Sequence, residues 1–284
     1  MSKLAGLVER VGRSAAVRFP AGTPAGDVLR AVRRRLPRRP PESALGQVVF
    51  AFARAYPRAF VVQVGAHDGT VVDPLRAELV RRPWRGVLVE PVPYVFARLR
   101  ANYGRNARLI LENAAIADHD GTVEIHHLPE TGQGSVWGGY DALGSLRKDV
   151  VLKHTDLIPD IGERLVSSTV PSLTFASLCA KHGVEHIDIV QTDTEGYDFE
   201  VLKLIDLDHW RPGLIMYEHV HLGEADREAA RSMLATHGYE LIADHMDTIG
   251  VQLSALSAHP DLGRVWTHAL AADPAGPPEP GVTP

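Results

Sequence analysis

Five short runs of apolar, often β-branched residues punctuate the chain at 60–64, 86–90, 108–111, 187–192 and 214–218. Runs of this kind read as strands buried on both faces, the habit of a parallel sheet. Around them, apolar residues fall at helical spacing over 43–56, 73–82, 93–103, 172–182 and 199–205. Gly104 and Gly183 stand just past two of these segments, where a residue free to turn left-handed ends a helix. A further helix over 225–237 stops at Gly238 and leads into 239–243 and 248–253, which read as an antiparallel pair closing the sheet. The pattern predicts an α/β fold with helices on both faces of a mostly parallel sheet. The stretch 127–168, rich in Gly, Ser, His and Asp, breaks the rhythm and reads as a long irregular insertion. Its glycines at 132, 134, 138, 139 and 144 make it costly to order, so a lid is expected there, with Ser135 and Trp137 as candidate contacts to a substrate.

Composition narrows the class. A length of 284 residues suits one large α/β domain with appendages, and 45% apolar with 23% charged content is what a soluble globular protein carries. No run of about 18 apolar residues exists, which excludes a membrane-spanning helix. Glu9 and Arg10 interrupt the first apolar stretch, unlike a secretory signal, and the single Cys179 makes neither an internal disulfide nor a thiolate zinc site. Both features point to a cytoplasmic protein. Residues 1–41 hold ten Lys or Arg against Glu9 and Asp27, a net of +8, which leaves −13 on the remainder. A body that acidic argues against a nucleic-acid groove as the main surface. The expected organisation is a basic, partly helical arm over 1–42, a folded body over 43–270 and a proline-rich, disordered tail over 271–284.

Candidate chemistry begins at QVGAHDGT, residues 63–70, where a buried strand runs straight into Gly65 and Gly69. Such a turn lets the backbone approach a ligand, and ligands of open α/β sheets sit outside the carboxyl ends of the strands. His67 occupies the place of a middle glycine, so the fingerprint that seats a pyrophosphate is absent. The second strand ends in Glu90, 25 residues after Gly65, where a carboxylate can accept from both hydroxyls of a ribose. Glycine turn and acidic strand end together indicate a nucleoside cofactor without a pyrophosphate, of which S-adenosyl-L-methionine is the commonest.

The order QVGAHDGT, LVEP, ENAAIADHDGTVEI, VPSLTFASLCAKHGVEHIDIVQTDTEGYDFEVLKL and MYEH resembles the FkbM-type S-adenosylmethionine-dependent methyltransferases over roughly residues 58–255. The most specific stretch is IDIVQTDTEG at 187–196, close to the family's IDLLKIDVEG. Gln191 stands where the family usually has lysine, and His67-Asp68 replaces the commoner Asn-x. The resemblance implies a class I (Rossmann-like) methyltransferase sheet, seven strands with the last antiparallel. It also implies methyl transfer to oxygen, often on a sugar or polyketide-type natural product. The cofactor contacts it implies are the turn Gly65, Ala66, His67, Asp68, Gly69 and Thr70, then Glu90 on the ribose, Asn113 at the adenine edge, Asp118 and Asp193. Asp118 equally reads as the start of a hairpin turn.

Asp193 ends the fourth strand and Glu218-His219 the fifth, so these three converge on one sheet edge. Carboxylate plus imidazole there can act as general base toward an alcohol or hold Mg2+ or Mn2+. A plainer role, capping the next helix and ordering a loop, competes. The expected partner is a small hydroxylated molecule. Two alternatives remain: a non-catalytic nucleoside-binding protein recruited through the basic arm, and an RNA or protein acceptor, against which stand the acidic body and 6% aromatic content.

Overall fold

The computed structural model describes residues 43–70, 73–130, 143–156 and 158–272. Ser43 caps α1 (Ala44–Ala55), its hydroxyl oxygen accepting from the Gly46 N–H. β1 (Phe60–Val64), buried throughout, is followed by α2 (Arg76–Arg81), β2 (Arg85–Val89), α3 (Pro93–Tyr103) and β3 (Leu109–Glu112). Next come β4 (Ala115–Ile116), β5 (Gly121–His127), β6 (Gly144–Ser145), α4 (Lys148–Val151), α5 (Ile161–Arg164) and β7 (Val166–Leu173). The remainder is α6 (Phe175–Lys181), β8 (Ile189–Thr192), α7 (Asp198–Lys203), α8 (Leu207–Trp210), β9 (Leu214–Glu218) and α9 (Glu224–Thr236). β10 (Tyr239–Asp244), β11 (Asp247–Gln252), α10 (Leu253–Ala258) and α11 (Pro260–Ala272) complete it.

Seven strands form the main sheet in the order β10-β11-β9-β8-β1-β2-β3. β3, β2, β1, β8 and β9 run parallel, and the last strand, β11, is antiparallel to both of its neighbours. β11 enters between β9 and β10, which leaves β10 at the edge. The fold is that of a class I methyltransferase. Helices cover both faces: Phe52, Leu79, Leu99 and Trp266 of α1, α2, α3 and α11 pack on one side, and Leu178, Val201 and Leu234 of α6, α7 and α9 on the other. The chain leaves β1 in one direction for β2 and β3 and returns through β8 on the other side. That switch point opens a crevice at the carboxyl ends of β1 and β8.

A second, four-stranded sheet of order β4-β7-β5-β6 flanks the expected insertion: β4 and β5 precede it, β7 closes it, and only the two-residue β6 lies wholly within it. β5 and β7 pair antiparallel from Gly121 opposite Ser172 to His127 opposite Val166. The expected helix over 172–182 starts later, because Ser172 and Leu173 belong to β7 and Thr174 is the cap, accepting from the Ser177 N–H. α11 was not anticipated and carries order to Ala272, past the expected start of the tail. The expected arm, and the stretch 131–142 with Ser135 and Trp137, lie outside the described residues. Among the described residues no helix is long and apolar enough to cross a membrane.

Candidate active site

A cavity of about 250 Å³ lies at the carboxyl ends of β1, β2, β8 and β9. Its polar lining includes His67, Glu90, Asp193, Thr194, Glu195, Tyr197 and Glu218, and its apolar wall includes Val92, Ala115, Ile116 and Ile125. The second sheet supplies part of that wall through β4 and β5, so it roofs the crevice.

The first turn is held from within. Gly65 and Ala66 both donate N–H to the Val89 carbonyl, joining the turn to β2. Gly65 adopts φ 78°, and a Cβ on it would stand 1.7 Å from the Asp193 carbonyl oxygen. The glycine therefore admits the neighbouring strand end, where the sequence suggested only room for a ligand. Gly69 at φ 68° is likewise required by the Tyr103 ring. Asp68 accepts from the N–H and hydroxyl of Thr70, closing the turn locally. His67, by contrast, faces the cavity with φ 48°, a left-handed value that costs a non-glycine residue energy.

Glu90 is 5% exposed and lies at the floor of the cavity. Its Oε2 accepts from the His67 N–H at 3.0 Å and its Oε1 from the Val92 N–H at 2.9 Å. Two of about four lone-pair positions are thus used, and each oxygen can still accept one further donor. Burial pushes the Glu90 pKa up to about 7, against the lowering effect of these bonds. Asn113 is one step removed, its amide donating to the Glu90 and Pro91 carbonyls and so fixing the backbone around the carboxylate. Asp118 is exposed, its carboxylate 2.7 Å from His119 Nδ1 in the turn before β5, and it does not line the cavity.

At the other end, Asp193, Glu195 and Glu218 bring carboxylate oxygens within 4.8 Å of one another. Burial, then the neighbouring carboxylates, raise Glu218 well above the usual acid range, while Asp193 beside it is exposed. The histidine that joins them is His221, not the expected His219. His221 Nε2 lies 3.1 Å from Glu195 Oε2 and 3.7 Å from Glu218 Oε1. His219 hydrogen-bonds Thr248 through Nδ1 and is absent from the lining, and burial lowers its pKa. His154 packs its ring 5.0 Å from that of His221 and forms a second group with it and Glu195. Glu195 was not among the expected site residues. Its φ of 53° places a non-glycine residue in left-handed backbone, held by the Ser145 hydroxyl, which donates to its carbonyl at 2.7 Å.

The family model for the methyltransferase FkbM domain matches residues 63–241, more than half of the chain. The chain belongs to this family. The FkbM match runs from β1 into β10, and so contains every residue of the cavity floor. A curated relative is 2-O-methyltransferase NoeI of Sinorhizobium fredii (strain NBRC 101917 / NGR234), 26% identical over 147 residues, 51% of this chain and 57% of NoeI. This chain therefore spans little more than half of that relative. Among solved structures, the FkbM methyltransferase of Methylobacillus flagellatus KT is 10% identical with a TM-score of 0.45, covering 80% of this chain and 60% of its own. Aeropyrum pernix fibrillarin, solved with S-adenosyl-L-methionine, is 10% identical with a TM-score of 0.36, over 79% and 74%. The chain thus carries a methyltransferase FkbM domain.

Proposed function

We propose that this FkbM domain transfers a methyl group from S-adenosyl-L-methionine to a hydroxyl of a small molecule, a sugar or polyketide-type product, in the cytoplasm. Glu90 carries the reading. A carboxylate buried at the end of β2, with an acceptor position spare on each oxygen, is suited to the two hydroxyls of a ribose, and the apolar wall from Val92 to Ile125 suits a base. The bound cofactor supplies an electrophilic methyl on a sulfonium.

The chain's own part is to place the acceptor oxygen and remove its proton. An alcohol is a poor nucleophile while protonated, and a positioned base contributes roughly 10²–10⁴-fold. Asp193, Glu195, Glu218 and His221 form the group suited to take that proton, directly or with a divalent ion such as Mg2+ or Mn2+ among them. NoeI is a 2-O-methyltransferase, which supports oxygen as the acceptor.

Methyl-labelled S-adenosyl-L-methionine, incubated with hydroxylated saccharides and polyketides, tests this reading. Label on an acceptor oxygen is expected. Cofactor binding without turnover on any hydroxylated acceptor would favour the nucleoside-binding alternative, and label on RNA or protein would move the acceptor class.

A further inference from the structure

We propose that Asp193, Glu195, Glu218 and His221 bind one divalent cation of the manganese type, with Glu195 as the central ligand. This deepens the proposed function and rests on it for the role of the ion, though not for its binding. Two groups of potential ligands overlap here: Asp193, Glu195 and Glu218, and His154, Glu195 and His221, each with atoms within 4.8 Å of one another. Glu195 is common to both. Its backbone is held left-handed by the Ser145 hydroxyl, so the carboxylate is positioned in advance of any ligand.

A cluster of acids alone would not argue for an ion. Here Glu218 is 4% exposed, lines the same cavity, and its Oε2 has no hydrogen-bond partner among the described residues. A buried carboxylate oxygen left without a donor costs free energy that a cation at this position removes. The histidines fit the same purpose. His221 Nε2 lies 3.1 Å from Glu195 Oε2 and 3.7 Å from Glu218 Oε1, and the His154 ring, anchored 3.2 Å from the Val151 carbonyl oxygen through Nδ1, packs 5.0 Å from that of His221. Three hard oxygens suit Mg2+ and Mn2+, and the imidazole nitrogen of His221 shifts the preference toward Mn2+. Such an ion would supply Lewis-acid polarisation to a hydroxyl oxygen in the cavity.

The full chain, stripped with EDTA and dialysed, is titrated with Mn2+ in the absence of cofactor, free Mn2+ being read by electron paramagnetic resonance. One Mn2+ per chain is expected. Glu195→Gln and His221→Ala should each weaken it by at least about tenfold, while His219→Ala stays within about twofold. Circular dichroism separates loss of fold from loss of a ligand, and the wild-type stoichiometry stands whatever the variants do. Absence of saturable Mn2+ binding, or unchanged affinity in folded Glu195→Gln, overturns the site. Calorimetry of S-adenosylhomocysteine in EDTA on the same sample keeps the two readings apart: nucleoside without Mn2+ sinks the metal alone, Mn2+ without nucleoside sinks the cofactor seat alone.

Discussion

His221 Nε2 stands 3.1 Å from Glu195 Oε2, so this imidazole backs a carboxylate that lines the polar end of the cavity. If the pair takes the acceptor's proton, His221→Ala should lower kcat by about 10²–10⁴-fold with cofactor affinity little changed. His219→Ala removes a hydrogen bond to Thr248, a stability loss of about 1 kcal/mol, and leaves turnover near wild type. Steady-state kinetics on both variants decide which histidine serves.

Gly65→Ala probes the join between the turn after β1 and the end of β8. The new Cβ meets the Asp193 carbonyl oxygen at 1.7 Å and its carbon at 2.7 Å, both backbone atoms that cannot swing aside. The expected loss is about 3 kcal/mol or more. Gly183→Ala is the control: φ is 58°, nothing lies within 4 Å, and only the left-handed penalty of about 1–2 kcal/mol applies. Urea unfolding of the two variants should separate them clearly.

Glu90 gives the site a pH dependence whose sign follows from burial. Its pKa is raised from 4.5 to about 7 in the folded chain. Between those values the folded state keeps a proton that the unfolded state has released, so the Glu90 contribution to stability falls as pH rises toward 7. Ribose hydroxyls donate to the carboxylate form, so affinity for S-adenosylhomocysteine should rise over the same window and level off above it. Glu90→Gln should flatten that rise. Calorimetric titrations from pH 5.5 to 8 check it, and a slope unchanged in Glu90→Gln would assign the titration to another group.

Ser145 is a positioning residue. Its hydroxyl donates to the Glu195 carbonyl at 2.7 Å, and its oxygen accepts from the Arg147 N–H at 2.9 Å. Ser145→Ala should cost about 1–2 kcal/mol of stability and, by freeing the strained Glu195 backbone, lower kcat more than it raises KM. Ser145→Thr, which restores the hydroxyl, should recover part of the rate.

The main sheet was legible because its strands are buried on both faces, and an apolar run such as FVVQV at Phe60–Val64 has few other readings. β7 was hidden for the opposite reason. VSSTVPSL is half exposed, carries Pro171 inside a paired strand, and pairs with β5 across some forty residues that local periodicity does not see. The cavity was half legible: Glu90 lines it at the end of β2, while Ala66, Asp68, Gly69 and Thr70 build the turn without lining it. His219 misled because it follows the last strand residue directly. Beyond Glu218 the chain turns, the His219 N–H donates to the Met246 carbonyl, and His221, three residues on from Glu218, comes back over the site. Glu195 left one signal, a non-glycine residue before Gly196 at a strand-to-helix turn, which helix capping also explains.

The cofactor seat itself is tested most directly by calorimetric titration of S-adenosylhomocysteine into the wild-type chain and Glu90→Ala, with NAD as a control nucleotide. The arrangement around Glu90 predicts one S-adenosylhomocysteine per chain, no binding of NAD, and an affinity about 10- to 150-fold weaker in Glu90→Ala, the equivalent of a charge-assisted hydrogen bond worth about 1.5–3 kcal/mol. Wild-type affinity in Glu90→Ala, or preference for NAD, would contradict it.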